Sequence, residues 1–404
     1  MWPVDDFALL AILTPMKITD IETHILVVPD LREDATSSSQ DDIVVVIHTD
    51  EGISGIGETD TGPWIAQAAI ESPGSHTMAL GMKDLLIGED PFDTSALWEK
   101  MFTYTAMSGR RGAVLCAMGA IDMALWDIKG KALGLPCYKL LGGAQRDHIV
   151  PYASLQPYGS TVQEYGDSLV AWVKKAQSFG YTACKLECTL DGPYNHSGLR
   201  GTDEDMTGIV RACREAAGKD MRIMVDVQYL WYDAKSALRT IRHWEDLDLF
   251  FLETPLWVEN IEGYATLARE APMRIAAGEW LNTRQEFLEL LDRGLVDGAQ
   301  PDVGRVGGLT EALRVCHMAQ DRGRLIVPHC WKTGLGIAAT AHLAAAIPHC
   351  PFIEFVPQQL CDSALRRELV EDELSLREDG TLALPQKPGL GVELNRDAVE
   401  KYRK

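Results

Sequence analysis

Between residues 148 and 356 the chain sets out one unit eight times, a short apolar stretch followed by a helical one, and this repetition leaves few folds open. The apolar stretches are HIVPYAS, ACKLEC, RIMVDVQ, LFFLETP, MRIAAGEW, GAQPDVGR, RLIVPHC and PFIEFV. Most spacings between them are about 24 to 40 residues, the size of a strand–helix unit. Eight such units in roughly 210 residues specify a (β/α)8 barrel.

In nearly every unit an ionisable residue follows the apolar part. The series runs Lys185, Asp226, Glu253, Glu279, Asp302, His329, Glu354. The C-terminal rim of barrel strands is where active sites are built. Any one of these residues alone reads as a solvated loop charge; the whole series reads as a site. Asp226, Glu253 and Glu279 end three successive strands and are spatial neighbours. Converging carboxylates repel unless one is protonated or a cation neutralises them. All-oxygen ligation suits Mg²⁺ completed by waters, and no histidine or cysteine is placed to join them as in a zinc site. Asp302 and His329 end adjacent strands, and a carboxylate beside an imidazole is how a general base is tuned. Lys185 and a metal would bind a substrate carboxylate, the base would take the neighbouring C–H proton, and the metal would hold the enediolate. His196, in the long loop DGPYNHSGLRGTDED after the second strand, is placed to reach the substrate.

The rest of the chain divides around this barrel. DIETHILVV (20–28), DIVVVIHT (42–49) and GISGIGET (52–59) read as strands, the last two joined by a tight turn. Helical patterns follow in DTSALWEKMFTYT, with Asp93 or Thr94 as N-cap, and in GAVLCAMGAIDMALWDIKGKALG, which stops at Gly134. The expected organisation is an α+β cap over 16–147, the barrel over 148–356, and a C-terminal segment over 357–404 that packs back on the cap. Residues 1–15 read as a loose or extra N-terminal tail. FALLAILTPM within them is short and follows two acids, a poor signal peptide.

Charge and cysteine usage narrow the partners. Against 38 Lys and Arg stand 59 Asp and Glu, a formal net charge of −21. That argues against nucleic acid or an anionic membrane surface. No apolar run approaches the ~20 residues that span a bilayer. The nine cysteines lack metal-type or disulfide-type spacing and read as free thiols of a cytoplasmic protein.

Taken together, these residues resemble the enolase superfamily in its mandelate racemase-like branch, from Met16 onward. AIDMALWDIKGKALGLPCYKLLGG resembles the family's helix signature. VDVQYLW, LETP and AGEW resemble its three metal-ligand strands, and QPDVGRVGGLTEA and VPHCWKTG the strands of its Asp–His dyad. The resemblance implies that Asp226, Glu253 and Glu279 bind Mg²⁺, that His329 is the base with Asp302 as partner, and that Glu354 hydrogen-bonds substrate or enediolate. It implies a homo-oligomer, dimer to octamer, acting on a small-molecule sugar acid. The cap loops VVPDLREDATSSSQDD and GETDTGPW correspond to the family's site-closing loops, which makes Arg32, Asp60 and Trp64 candidate substrate contacts. Trp280 and Trp331 follow strand ends and are candidate pocket walls, or core packing.

One departure decides between reactions. Lys185 matches the first lysine of the family's Lys-x-Lys pair, but Glu187 stands where the second lysine belongs. Glu187 is open to three readings: a second base, a hydrogen-bond partner for a sugar hydroxyl, or a simple partner of Lys185. The change disfavours two-base racemisation and favours one-base dehydration to a 2-keto-3-deoxy acid, as in the sugar-acid dehydratases that this chain resembles. Epimerisation or lactone cycloisomerisation through the same enediolate is the alternative. A Schiff-base lyase using Lys185 would leave the three carboxylates without purpose, and a binding protein would not need to keep ligands and dyad.

Overall fold

The computed structural model describes residues 15–31, 40–195, 198–361 and 363–404. Most of the expected N-terminal tail, Arg32 and His196 lie outside the described residues. The cap sheet is antiparallel, with β1 (Ile18–Val27), β2 (Asp41–Thr49) and β3 (Ser54–Thr59) in that order. Gly52, at φ +73°, turns the chain between β2 and β3, and its N–H donates to Thr49 O at 3.2 Å. The nearly unbroken apolar run of β2 has a physical reason: both faces are covered. Ile43, Val45 and Ile47 pack toward the helical side of the cap, while Val44 with Leu26 packs on Leu365, Leu369, Ala398 and Tyr402 of the C-terminal return.

The helix Ala113–Leu133 is buried on almost every side, because it lies between cap sheet and barrel. It approaches both backbones closely. A Cβ on Gly57 would sit 1.9 Å from Ala120 O, and one on Gly119 would sit 2.3 Å from Gly304 O. Gly134 ends the helix in the left-handed conformation, φ +66°.

After the short β4 (His148–Ile149), the barrel opens with β5 (Pro151–Leu155) and continues with β6 (Ala183–Glu187), β7 (Arg222–Asp226) and β8 (Leu249–Glu253). It ends with β9 (Arg274–Ala277), β10 (Gly298–Ala299), β11 (Leu325–Ile326) and β12 (Ile353–Phe355). β5 to β12 form one parallel sheet in chain order, and β12 returns to pair with β5. The one junction without a ladder among the described residues is β11–β12. It is crossed instead by Ile326 N–H to His349 O at 3.0 Å and by Cys330 N–H to the Glu354 carboxylate at 2.9 Å. β10 and β11 are shorter than their apolar runs, since Pro301 and Pro328 offer no N–H to extend the ladder. HIVPYAS divides: β4 pairs antiparallel with Leu382–Ala383 of the C-terminal return, and only β5 joins the barrel. None of the described helices is long and apolar enough to cross a membrane.

Candidate active site

The barrel interior is layered. Tyr152, Ala183, Met224, Phe251, Ala276 and Val327 form one buried apolar cluster inside it. Side chains two residues apart on a strand share a face. The next inward positions are therefore Ser154, Lys185, Asp226, Glu253 and His329, so the charged ring rests directly on an apolar floor. Lys185 Nζ stands 5.6 Å from the Tyr152 ring centroid.

Lys185 is the counter-ion of the ring. Its Nζ lies 2.8 Å from Glu253 Oε1, 2.8 Å from Glu354 Oε1 and 3.9 Å from Asp226 Oδ2. Burial works against its charge, but the carboxylates prevail and hold the ammonium well above the usual lysine range. An ammonium held so firmly is a poor nucleophile, which removes the support for a Schiff-base role. Glu354 also accepts from Ser154 Oγ at 2.7 Å. Burial would raise its carboxyl, yet Lys185 and then His329 pull it below the ordinary value.

Asp226, Glu253 and Glu279 are each held by neutral donors as well as by cations. Asp226 Oδ1 accepts from Gln228 N–H at 2.9 Å and Thr254 Oγ1 at 2.6 Å. Glu253 Oε2 accepts from Gln300 Nε2 at 2.7 Å, and Glu279 Oε1 from Tyr229 OH at 2.8 Å. Backbone strain aims some of these donors. Gln228 (φ +48°), Tyr229 (φ +60°) and the β-branched Thr254 (φ +43°) are all left-handed, just past Asp226 and Glu253. Among the described residues no three His, Cys, Asp or Glu side chains stand as a preformed coordination cluster. Lys185 and His329 draw the carboxylates onto themselves instead. The three still feel one another: burial, then the charges of Glu253 and Glu279, push the Asp226 carboxyl well up. Burial raises Glu253 too, against the pull of Lys185. Three hard oxygen donors short of positive charge fit Mg²⁺.

His329 and Asp302 are hydrogen-bonded. His329 Nδ1 is 2.7 Å from Asp302 Oδ2, while Nε2 faces Glu279 at 3.2 Å and Glu354 at 3.8 Å. Burial and Arg305 lower its imidazole, but Glu354, the Asp302 hydrogen bond and Glu279 outweigh them and bring it to about 9.

Two cations that the sequence reading passed over flank this dyad, each three residues beyond a dyad member. Arg305 donates its backbone N–H to Asp302 Oδ1 at 3.1 Å and pairs through its guanidinium with Asp60 of the cap. Lys332 lies 3.2 Å from Asp60 Oδ1 and donates to Asp41 O at 2.7 Å. Asp60 is thus buried in two ion pairs that clamp cap to barrel. Burial opposes its charge, but Arg305 and then Lys332 hold its carboxyl well below the carboxylate range. The same cap carboxylates outweigh burial and raise Lys332 to about 12.

The remaining candidates separate. Glu187 is buried beside Asp226 in register and accepts from Gln228 Nε2 at 2.8 Å, while the described ion pairs of Lys185 go to other carboxylates. Trp280 stacks on Tyr229 with centroids 4.2 Å apart, against the ring that holds Glu279. Trp331 lines a small pocket at the cap–barrel seam with Asp60, Asp302 and Lys332. Trp64 is 55% exposed at the start of the helix Pro63–Glu71, and no contact among the described residues ties it to the ring.

Comparison with known proteins places this geometry. Residues 22–142 match the N-terminal domain of the mandelate racemase / muconate lactonizing enzyme family, and residues 168–398 match the enolase C-terminal domain-like family. The D-galactarolactone cycloisomerase of Agrobacterium fabrum is 31% identical over 96% of this chain and 99% of that protein. The D-galactonate dehydratase of Pectobacterium atrosepticum is 33% identical over 87% and 88%. Among solved structures, the 3,6-anhydro-D-galactonate cycloisomerase from Zobellia galactanivorans superimposes with a TM-score of 0.83 at 31% identity, covering 96% of this chain and 99% of that one.

Proposed function

Because this chain belongs to the mandelate racemase / muconate lactonizing enzyme family of the enolase superfamily, we propose that it is a hydro-lyase that dehydrates a sugar acid. The observation that carries the reading is the asymmetry of the ring. His329 is backed by Asp302 and points Nε2 into the carboxylates, whereas Glu187, in the place of a second base, is held by Gln228. One base on one face suits elimination better than racemisation. In this reading Lys185 faces the substrate carboxylate. In its neutral form His329 takes the proton from the α-carbon on Nε2, and the resulting imidazolium returns it to the β-hydroxyl, which departs as water. The enol then tautomerises to the 2-keto-3-deoxy acid.

Enolase superfamily members generally use Mg²⁺. Here Asp226, Glu253 and Glu279 would hold the ion, which supplies positive charge to stabilise the enediolate. Glu354, pinned by Lys185, Ser154 and Cys330 N–H, is placed to meet a substrate oxygen. The same reading takes the substrate as a free small molecule, the compartment as the cytoplasm and the assembly as a homo-oligomer.

The test is incubation with Mg²⁺ and a library of aldonates and aldarates, read as 2-keto-3-deoxy acid with semicarbazide. Turnover of one stereochemical series supports dehydration. Silence across the library, with conversion of sugar-acid lactones, would replace it by cycloisomerisation, the activity named for two relatives that align over 96% of this chain.

A further inference from the structure

Four aromatic side chains, one from each of four consecutive strand–helix loops, meet on one side of the charged ring. Tyr194 follows β6, Tyr229 follows β7, Trp257 follows β8 and Trp280 follows β9. Trp280 is the hub. Tyr229 stacks on it at 4.2 Å and an interplanar angle of 27°, while Tyr194 (5.4 Å, 88°) and Trp257 (5.9 Å, 79°) meet it edge to face. The wall adjoins the reaction centre, since Tyr229 OH donates to Glu279 at 2.8 Å. It is also preorganised at a cost, because Tyr229 holds a left-handed backbone at φ +60°. The inner rings are buried or half-buried, but Trp257 is 46% and Tyr194 38% exposed. Large aromatics left uncovered at a site mouth mark a binding surface.

We propose that Tyr194, Tyr229, Trp257 and Trp280 form a stacking subsite that takes a neutral, ring-shaped distal end of a monocarboxylic sugar acid. The inference rests on the sugar-acid reading of the ring and narrows it. Aromatic faces carry negative quadrupole charge and accept the weakly positive C–H face of a sugar ring. They repel a second carboxylate. Among the described residues no lysine or arginine stands over these four rings; the cation–ring contacts fall on other aromatics, such as Tyr152 and Trp98. An open-chain diacid would find nothing here to pair its far end.

The test compares gluconate, galactarate and lactobionate, a gluconate bearing one pyranose ring, on the full-length protein with Mg²⁺. Binding is read by tryptophan fluorescence and turnover by 2-keto acid release. Lactobionate is expected to bind more tightly than gluconate, and galactarate more weakly than either. Trp257→Ala should weaken lactobionate about tenfold and gluconate less than about twofold, with Trp257→Phe restoring it. Tyr194→Ala, also at an exposed position, should do the same. Equal losses for both monoacids, or no preference for lactobionate in the wild type, overturns the subsite. So does a Trp257→Ala effect confined to sedimentation, which would assign the patch to a second copy of the chain. Fluorescence separates this inference from the wider one: ring-dependent binding without dehydration of any acid keeps the subsite and removes the dehydratase.

Discussion

The barrel rim and the cap–barrel seam both bury polar and charged side chains, but they satisfy them differently. On the rim, charges answer charges: Lys185 serves Glu253 and Glu354, and His329 serves Asp302 and Glu279. In the seam, apart from the Asp60 clamp with Arg305 and Lys332, side chains are tied largely to backbone or to neutral groups. Glu58 accepts from Thr333 Oγ1 at 2.5 Å, Thr333 N–H at 3.1 Å and Gly336 N–H at 2.7 Å. Asp122 accepts from Thr310 N–H at 2.8 Å and Oγ1 at 2.6 Å, and His342 bridges Tyr138 N–H and Leu390 O, each at 3.1 Å. Partners of the first kind can be exchanged for a ligand, whereas those of the second kind can only be lost. Function should therefore sit in the rim and stability in the seam.

The sharpest break between the two is expected at His329. His329→Asn should lower turnover by about 10²- to 10⁴-fold, the contribution of a positioned acid–base group. Its melting temperature should stay level or rise, as active-site replacements often do. A variant that unfolds while its residual turnover tracks the folded fraction would put His329 in the seam's class. The counterpart is Glu58→Ala, which strands three buried donors and should cost about 3 kcal/mol in denaturant unfolding. A cost below about 1 kcal/mol would mean that water replaces the carboxylate and that the seam is as exchangeable as the rim.

Exchangeability itself gives the next prediction. Mg²⁺ at about a hundred times its dissociation constant should stabilise the wild type by about 2.7 kcal/mol. Glu253→Gln should lose most of that gain and Glu58→Ala should keep it, both read as a shift in melting temperature. Equal protection of the two variants would mean that the ion binds elsewhere.

The same contrast explains what the sequence made legible. Rim charges announce themselves because each ends an apolar strand, so Lys185, Asp226, Glu253, Asp302, His329 and Glu354 could be read from position and type alone. The floor beneath three of them lies two residues earlier on the strand, as Met224, Phe251 and Val327. Seam partners have no such pattern. Arg305 lies on the four-residue helix Val303–Val306 and Lys332 on a bend, and their only signal is the shared offset of three from Asp302 and His329. Asp60 could be read as a loop aspartate near a site, but not its two cations, which come in from elsewhere in the chain. The aromatic wall was half visible: Trp280 follows a strand end, but Tyr194 and Trp257 meet it only after the barrel has brought consecutive loops together. Gly55 and Gly57 meet the backbone of the helix Ala113–Leu133, and a strand glycine alone does not say what approaches it.

The smallest predicted effect tests the seam by pH. His342 is fully buried, and burial lowers its imidazole from 6.5 to about 4. Its folded-state value is depressed, so the unfolded chain takes up a proton below pH 6.5 that the native state refuses. Stability is lost as pH falls from 6.5 towards 4 and levels off below, about 3 kcal/mol in all. Asp122 runs the opposite way: burial raises its carboxyl from 3.8 to about 7, so its ionisation penalty is relieved as pH falls through that window. The two trends oppose each other, and the pH profile of the wild type alone would hide both. His342→Gln separates them, because an amide can accept from Tyr138 N–H and donate to Leu390 O without titrating. Wild type and variant share the Asp122 contribution, which cancels in their difference. The variant should be equal or slightly less stable at about pH 7.5 and gain on the wild type by about 2 kcal/mol at about pH 5, measured by urea unfolding. A difference that does not change with pH would mean that His342 is reached by water in the native state, and that the seam opens more readily than its backbone-tied hydrogen bonds imply.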